Sequence, residues 1–436
     1  MIPHASNAYL LNGPAASGWE ATAIPAPPTP PINADLSCEV LVIGAGYTGL
    51  NAAIRLAEGG KEVTVVDIGG PGYGASGRNG GQVVPGLKYD PDMLIRKYGE
   101  STGQALIQFA GSAADRTFDL IERYKIPCDA QRTGWLQPAV SKKTLRTVRE
   151  RASQWQRHTG TEVKLVTASE ARDLTGTDEF VGGWIDPRGG VLQPLSYARG
   201  LAQVAINLGV RVAGDSAVTH LTKRGASWEA EVNGQNIVAP TVILATNGYT
   251  GNLVPGLRTS LVSAASVQVA TAPLPEHIRK TILPGGLPVS DTRRILKYMR
   301  FDSDGRFLMG GRGSFKTGEP ESYFQSLERL AEAMFPQLKG VDWELRWAGT
   351  FALTMDGLPH VHMPGEKLYI GLGYNGRGLA MALQMGRLLG ALALNDDHEG
   401  SPFPISDIRP IPFHGFRVIG AETIGAWYRA LDRFGV

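Results

Sequence analysis

The chain has 436 residues, 43% of them hydrophobic and 19% charged. That balance suits two or three core-forming units of a globular enzyme and excludes a disordered chain. Lys plus Arg number 43 and Asp plus Glu 41, so a net charge of +2 gives no electrostatic reason to expect nucleic acid. Two cysteines, Cys38 and Cys128, cannot build a disulfide framework, and no 18 apolar residues run unbroken across a membrane; with no convincing signal peptide at the N-terminus, the expected location is the cytoplasm.

Residues 1–36 form an Ala- and Pro-rich arm ending in PAPPTPPIN, expected to run extended over the surface with Tyr9, Leu10, Leu11 and Trp19 as anchors. Cys38–Ile43 is a short β-branched apolar run, a buried strand. Leu50–Glu58 has helical spacing and stops at Gly59-Gly60. Glu62–Asp67 is a second buried strand, which completes a βαβ unit. Residues 91–135 carry helical periodicity. Lys142–His158 is a basic helix whose Arg146, Arg149, Arg151 and Arg157 read as a solvated face. Further along come a helix over Tyr197–Leu208, strands at Val210–Val212 and Ala217–Leu221, a hairpin about Asn233-Gly234, and a buried strand at Val242–Thr246. Residues 256–345 change character, with strands at Ser266–Ala270, Arg294–Arg300 and Arg306–Gly310 and a helix at Glu321–Met334. A strand at Leu368–Gly371, a glycine-rich loop and a helix at Leu379–Asn395 follow.

The segment Gly44-Ala-Gly46-Tyr47-Thr48-Gly49 lies between strand and helix, and an acid, Asp67, ends the next strand. Gly44 permits the tight turn, Gly46 lets backbone approach a pyrophosphate, and Gly49 lets the helix lie close on the sheet. The helix N-terminus faces the phosphates. Asp67 is placed to accept from ribose hydroxyls and disfavours a 2′-phosphate. The βαβ unit near the start and the long interrupted middle suit a flavoprotein. Gly72–Gln82 offers many backbone N–H groups and little bulk, enough to wrap a pyrophosphate and lie against a flat ring. A second loop, Gly371–Gly378, leads into a helix whose N-terminus would stabilise negative charge on a reduced cofactor.

The matching text VLVIGAGYTGLNAAIRLAEGGKEVTVVD, GYGASGRNGGQVV, DPRGGVLQPLSYARGLA, VILATNGY, FPQLKGV, RWAGTFALTMDGLPHV and YNGRG resembles the D-amino acid oxidase superfamily of FAD-dependent amine oxidases over nearly the whole chain. Within it, the likeness is greatest to the gamma-glutamylputrescine oxidoreductase and glycine–sarcosine oxidase-like group. The resemblance implies an α/β fold: a discontinuous Rossmann-like FAD domain (37–90, 180–255 and 346–436) after the arm, and a substrate domain with a mixed, largely antiparallel sheet (91–179 and 256–345). It implies that Tyr47, Thr48, Asp67 and Ile68 contact the adenosine half. Ala75, Ser76, Arg78, Asn79, Gly80, Gly81 and Gln82 would surround the pyrophosphate and isoalloxazine. Val218 would meet adenine, Ala245, Asn247 and Gly248 would close the site, and Tyr374, Asn375, Gly376, Arg377, Gly378 and Leu379 would line the pyrimidine side. Relatives that attach FAD covalently use a cysteine in the C-terminal half. None stands there in this chain, so noncovalent FAD is expected.

The implied reaction oxidises a C–N bond of a small amine or amino acid to an imine, which water splits to a carbonyl and an amine. O2 is the expected acceptor, giving H2O2. The cofactor carries the hard chemistry, so neither a catalytic triad nor a metal site is expected. Arg293, Arg294, Arg300, Arg312, Arg346 and Arg377 are candidates for carboxylate recognition, and Tyr249, Tyr298 and Trp347 for aromatic walls. Tyr298 and Arg300 alternate on one strand and share a face, which makes them first choice, with Arg377 second. The competing readings are a dehydrogenase that reduces a quinone, for which the segment Ile424–Leu431 would dock on a membrane, and a non-catalytic flavin-binding subunit or tRNA-modifying partner.

Overall fold

The computed structural model describes residues 17–315, 321–395 and 401–418, together with 420, 422 and 425. Tyr9, Leu10, Leu11 and most of 424–431 therefore lie outside the described residues.

The nucleotide-binding half is built on a six-stranded sheet. Its spatial order is His360–Gly365, Leu368–Leu372, Thr241–Leu244, Val40–Ile43, Val63–Val66 and Arg211–Ala213. All neighbours are parallel except the first pair. Both faces of this sheet are covered, and successive side chains divide between two cores. Val40, Val42, Val63, Val65 and Ile243 face the helices Tyr47–Glu58, Pro194–Asn207 and Gly378–Asn395. Leu41, Ile43, Val66, Val242 and Leu244 face a four-stranded sheet built on the hairpin Ser227–Val232 and Gln235–Ala239. Burial on both sides is why these strands read as continuous apolar runs.

Gly386 and Gly390, one turn apart, let the helix Gly378–Asn395 lie directly on Tyr47–Glu58. A Cβ at Gly386 would collide with the Thr48 carbonyl, and one at Gly390 would come within 3.0 Å of the Ala52 carbonyl oxygen.

The second half is an eight-stranded sheet that begins at one edge with the long antiparallel pair Trp343–Leu353 and Val262–Pro273. Lys297–Phe301 and Arg306–Arg312 extend it, and Trp135–Pro138, Lys164–Val166 and Gly183–Asp186 complete its far end. The helix Glu321–Met334 covers one face through Phe324, Leu327, Ala331 and Met334. Two stretches assigned from the sequence to the FAD domain, 183–186 and 346–353, thus hydrogen-bond into this sheet instead.

After a single turn at Gly18–Ala21 capped by Ser17, the arm forms neither helix nor strand until Leu36. Along its course Ile24 N–H donates to Ser196 Oγ (3.0 Å) and Thr29 O accepts from Gly214 N–H (3.1 Å). Trp19 is buried at one end, and Ile32 N–H donates to Ser216 Oγ (2.9 Å) at the other.

Candidate active site

The carboxyl ends of the parallel strands open into one cavity of about 1190 Å³. This is where α/β sheets bind ligands, and it exceeds the roughly 300–1,000 Å³ of a single small-ligand pocket. It begins at Asp67, Ile68 and Val218, passes Gly44, Gly46, Tyr47, Thr48 and Ser76, and reaches Tyr298, Ser290 and Arg377 under the eight-stranded sheet.

Local chemistry shapes the glycine turn. Gly44 has φ +113, a conformation that favours glycine, and a Cβ there would stand 2.8 Å from the Ala245 carbonyl oxygen. A Cβ on Gly49 would strike the Gly44 carbonyl, so Gly49 allows the close approach of helix and turn without itself lining the cavity. The helix starts at Tyr47 with no side-chain cap of its own; its first amide donates to Ser76 Oγ (3.0 Å). Asp67 lines the cavity, yet its oxygens already accept from Ala45 N–H (2.7 Å) and from Gly69 and Gly70 N–H (3.0 Å each). Burial raises its carboxyl above the ordinary range, against the pull of these donors. Asp67 therefore fixes the turn itself, with acceptor capacity left for one more donor.

The Ala75–Gln82 segment wraps the middle of the cavity, and Ala75, Ser76, Arg78, Asn79, Gly80 and Gln82 line it. The Asn79 amide donates to Ala75 O, Ser76 O and Tyr47 Oη and accepts from Gly81 N–H, which ties the loop to itself. The Gln82 amide donates to Val289 O and Met299 O (3.1 Å each) and accepts from Ser290 Oγ (2.6 Å). Tyr298 lies between Gly80 and Gly310, with its hydroxyl 2.8 Å from Ser266 Oγ.

On the opposite wall, Tyr374 Oη meets Thr48 Oγ1 at 2.6 Å. The Asn247 side chain accepts from Gly373 N–H (2.9 Å), and Asn375, at φ 54, accepts from Thr354 N–H (3.0 Å). These contacts hold the loop that carries Gly376, Arg377, Gly378 and Leu379 into the cavity. Tyr249 and Ala245 line the cavity, and Tyr249 Oη accepts from Thr350 N–H (3.1 Å). Gly248 does not line it; its missing Cβ makes room for the backbone of Phe351.

Several expectations are corrected. Arg300 and Tyr298 do share a face, but what Arg300 meets there is backbone. Its Nη1 donates to Gly81 O (2.9 Å) and Leu192 O (2.7 Å), and its Nε donates to Phe301 O (2.9 Å). At 4% exposure it reaches no cavity surface, so it is no carboxylate ligand. Trp347 is equally withdrawn, 2% exposed, with its indole N–H on Arg78 O (3.1 Å). Gly81 also lies behind the cavity wall. Arg346 pairs with Glu321 and Glu328 away from the cavity. Arg293 lines the cavity, neutralised by Asp291 and Glu179.

Arg151, read as part of a solvated face, turns inward. It lines the cavity and bonds Asp90 (2.6 Å) and Gln137 (2.7 Å). Lys88, Trp135 and Ser290 also line it and were missed; no local pattern separates them from core or loop residues.

Arg377, like Arg78, is a cavity cation held by carbonyls and not by a carboxylate among the described residues. Its Nη1 donates to Pro85 O (3.1 Å), and the guanidinium lies over the Trp135 ring at 5.8 Å. No carboxylate among the described residues comes within ion-pair distance of it, in contrast to Arg151 and Arg293. Burial, reinforced by nearby Arg151, pushes its pKa down to about 10, which leaves it charged at neutral pH.

A parallel sheet with a glycine turn at its carboxyl edge, opening into a cavity roofed by a second sheet, defines a dinucleotide-dependent oxidoreductase. Residues 39–392 match the model of the family described as FAD dependent oxidoreductase (DAO), and the chain belongs to that family. It is 32% identical over 424 residues to gamma-glutamylputrescine oxidoreductase of Escherichia coli (strain K12), covering 96% of this chain and 99% of the relative. Among solved structures it is similar to glycine oxidase from Geobacillus kaustophilus, with TM-score 0.71, 19% identity, and 86% and 99% of the two chains covered. It is also similar to L-proline dehydrogenase from P. horikoshii, with TM-score 0.69, 20% identity, and 87% and 99% covered. No helix among the described residues is long and apolar enough to cross a membrane.

Proposed function

We propose that this oxidoreductase acts on the C–N bond of a small amine or amino acid that carries a carboxylate, of the N-substituted glycine, iminodicarboxylate or gamma-glutamyl-amine type. The observation that carries this reading is Arg377, a half-buried cation in the cavity wall beside the Trp135 ring, with no carboxylate of its own among the described residues. A substrate carboxylate would supply the missing anion, and the planar guanidinium suits bidentate recognition. The E. coli relative, whose name specifies a gamma-glutamyl amine, supports the same substrate class.

FAD, when bound, supplies the two-electron acceptor that amine oxidation requires. The residues that would hold it are the Gly44–Thr48 turn, Asp67, the Ala75–Gln82 wrap and the Tyr374–Leu379 loop. Binding is noncovalent in this reading: Cys38 and Cys128 are both buried away from the cavity, and burial pushes the Cys128 thiol up to about 12. Arg377 would anchor the carboxylate, and Tyr298 and Tyr249 would wall the amine end. The substrate loses two electrons and two protons to become an imine, and water then cleaves the C=N bond to a carbonyl and an amine. O2 takes up the two electrons and two protons as H2O2.

The test is an anaerobic panel of gamma-glutamylputrescine, sarcosine, iminodiacetate, glycine, pipecolate and D-amino acids. Bleaching of the flavin band by a carboxylate-bearing amine, and H2O2 on readmission of air, is the expected result. Bleaching only by amines without a carboxylate refutes the substrate class, and bleaching without H2O2 refutes O2 as acceptor.

A further inference from the structure

The back of the cofactor loop is held by residues that never reach the cavity. Trp19 Nε1–H donates to Asn79 O at 2.8 Å, and Trp347 Nε1–H donates to Arg78 O at 3.1 Å. The Gln268 amide also donates to Arg78 O, and Arg300 Nη1 donates to Gly81 O at 2.9 Å. The carbonyls of residues 78, 79 and 81 are thus all drawn away from the side that faces the cavity. These holders form one packed unit. The rings of Trp19 and Trp347 meet edge to face with centroids 5.8 Å apart, and the Arg300 guanidinium lies over the Trp19 ring at 5.3 Å. Among the described residues Arg300 has no carboxylate in its hydrogen-bonding shell, which consists of three carbonyls beside that ring, and burial pushes its pKa down to about 10. A buried guanidinium held on carbonyls costs desolvation, and the three bonds it makes tie Gly81, Leu192 and Phe301 to one rigid point.

We propose that Trp19, from the N-terminal arm, and Arg300 are positioning residues for FAD. They fix the peptide orientations of residues 78–82 from behind, and so set cofactor affinity and flavin environment without touching the cofactor. Trp19 sits 60 residues from its acceptor, so the arm is a distant part of the chain recruited to this task. The proposal rests on FAD dependence alone and is independent of the substrate class.

The test compares Trp19→Phe, Arg300→Lys and Glu20→Ala with the parent protein. Phe keeps a ring against Trp347 and loses the N–H. Lys keeps the charge and cannot span Gly81 O, Leu192 O and Phe301 O together. Glu20→Ala removes the arm's exposed ion pair with Arg199 and leaves the Trp19 donor in place. Apoprotein is titrated with FAD, the visible spectrum and midpoint potential of the reconstituted protein are recorded, and the melting temperature of each apoprotein verifies folding. Loss of one hydrogen bond that orients the loop should weaken FAD about 5- to 10-fold in Trp19→Phe and in Arg300→Lys, with a shifted flavin band. Glu20→Ala should match the parent. A Trp19→Phe protein that melts lower but keeps parental FAD affinity and spectrum would overturn the proposal, since the arm would then serve stability alone. Equal weakening in Glu20→Ala would overturn it too, because docking of the arm, not the Trp19 donor, would be responsible. If Trp19→Phe does not fold, Arg300→Lys decides by the same readouts.

Discussion

Replacing Arg377 with methionine separates substrate recognition from structure. The guanidinium gives one N–H to Pro85 O and has no carboxylate partner among the described residues, so its removal strands no buried anion. The lost Pro85 bond is worth about 1 kcal/mol, and relief of a desolvated charge offsets it. The melting temperature should therefore move by less than about 4 °C. Binding is different: hydrogen bonds to charged groups contribute about 1.5–3 kcal/mol each, and a substrate carboxylate would take up to two. A net loss of about 2–4 kcal/mol corresponds to a roughly 30- to 700-fold fall in kcat/KM at about 1.4 kcal/mol per decade. The assay is steady-state kinetics on an accepted acid and on its neutral amide. The parent should prefer the acid, and Arg377→Met should bring the ratio close to one. A variant that keeps the parental acid-to-amide ratio refutes the assignment, as does one that melts more than 10 °C lower with unchanged kinetics, on the scale of roughly 2–4 °C per kcal/mol.

Gly49→Ala forces a methyl against the Gly44 carbonyl, so the helix and the glycine turn must part. Overpacking of this kind costs about 1–3 kcal/mol, and FAD affinity, read by titration of the apoprotein, should fall at least tenfold. Acid precipitation of the holoprotein should leave all the flavin in the supernatant; yellow colour retained in the washed pellet would disprove noncovalent binding. His362 is buried, its Nδ1 on Ser406 O (2.7 Å) and its Nε2 without a partner among the described residues, and burial lowers its pKa. The unfolded chain therefore binds a proton more readily, and stability is full above the unfolded value of about 6.5 and declines as pH falls through it. Thermal melts at pH 7.5 and 5.5 should show this decline, and His362→Leu should make it shallower.

The nucleotide-binding half was legible because its signals are local. Val40–Ile43 and Val63–Val66 are unbroken runs rich in β-branched residues, and Gly44, Gly46 and Gly49 stand at a junction where a tight turn meets a helix. The far end of the eight-stranded sheet was not. Trp135–Pro138, Lys164–Val166 and Gly183–Asp186 have three or four residues each, too few for alternation to register, and their pairing is set by partners elsewhere in the chain. Side-chain destinations were harder still. Parity on the strand put Arg300 on the face of Tyr298 correctly, but strand parity says nothing of what lies opposite, which here is the backbone of Gly81 and Leu192. Helical spacing likewise could not show that Arg151 turns toward Asp90 while Arg157 reaches Asp92 in the open.

The strand order of the six-stranded sheet also sets a timetable. Val40–Ile43 lies between Val63–Val66, made almost at once, and Thr241–Leu244, made some two hundred residues later. The helix that seals Tyr47–Glu58, Gly378–Asn395, is among the last elements to be made. At about 5–20 residues per second, a ribosome needs roughly 17–70 s to travel from Glu58 to Asn395. Pro194–Asn207 and the 227–239 hairpin cover parts of the first βαβ unit earlier, but the side of Tyr47–Glu58 that Gly378–Asn395 seals stays open throughout that interval. The first βαβ unit is thus sealed only once a segment more than three hundred residues downstream has been made.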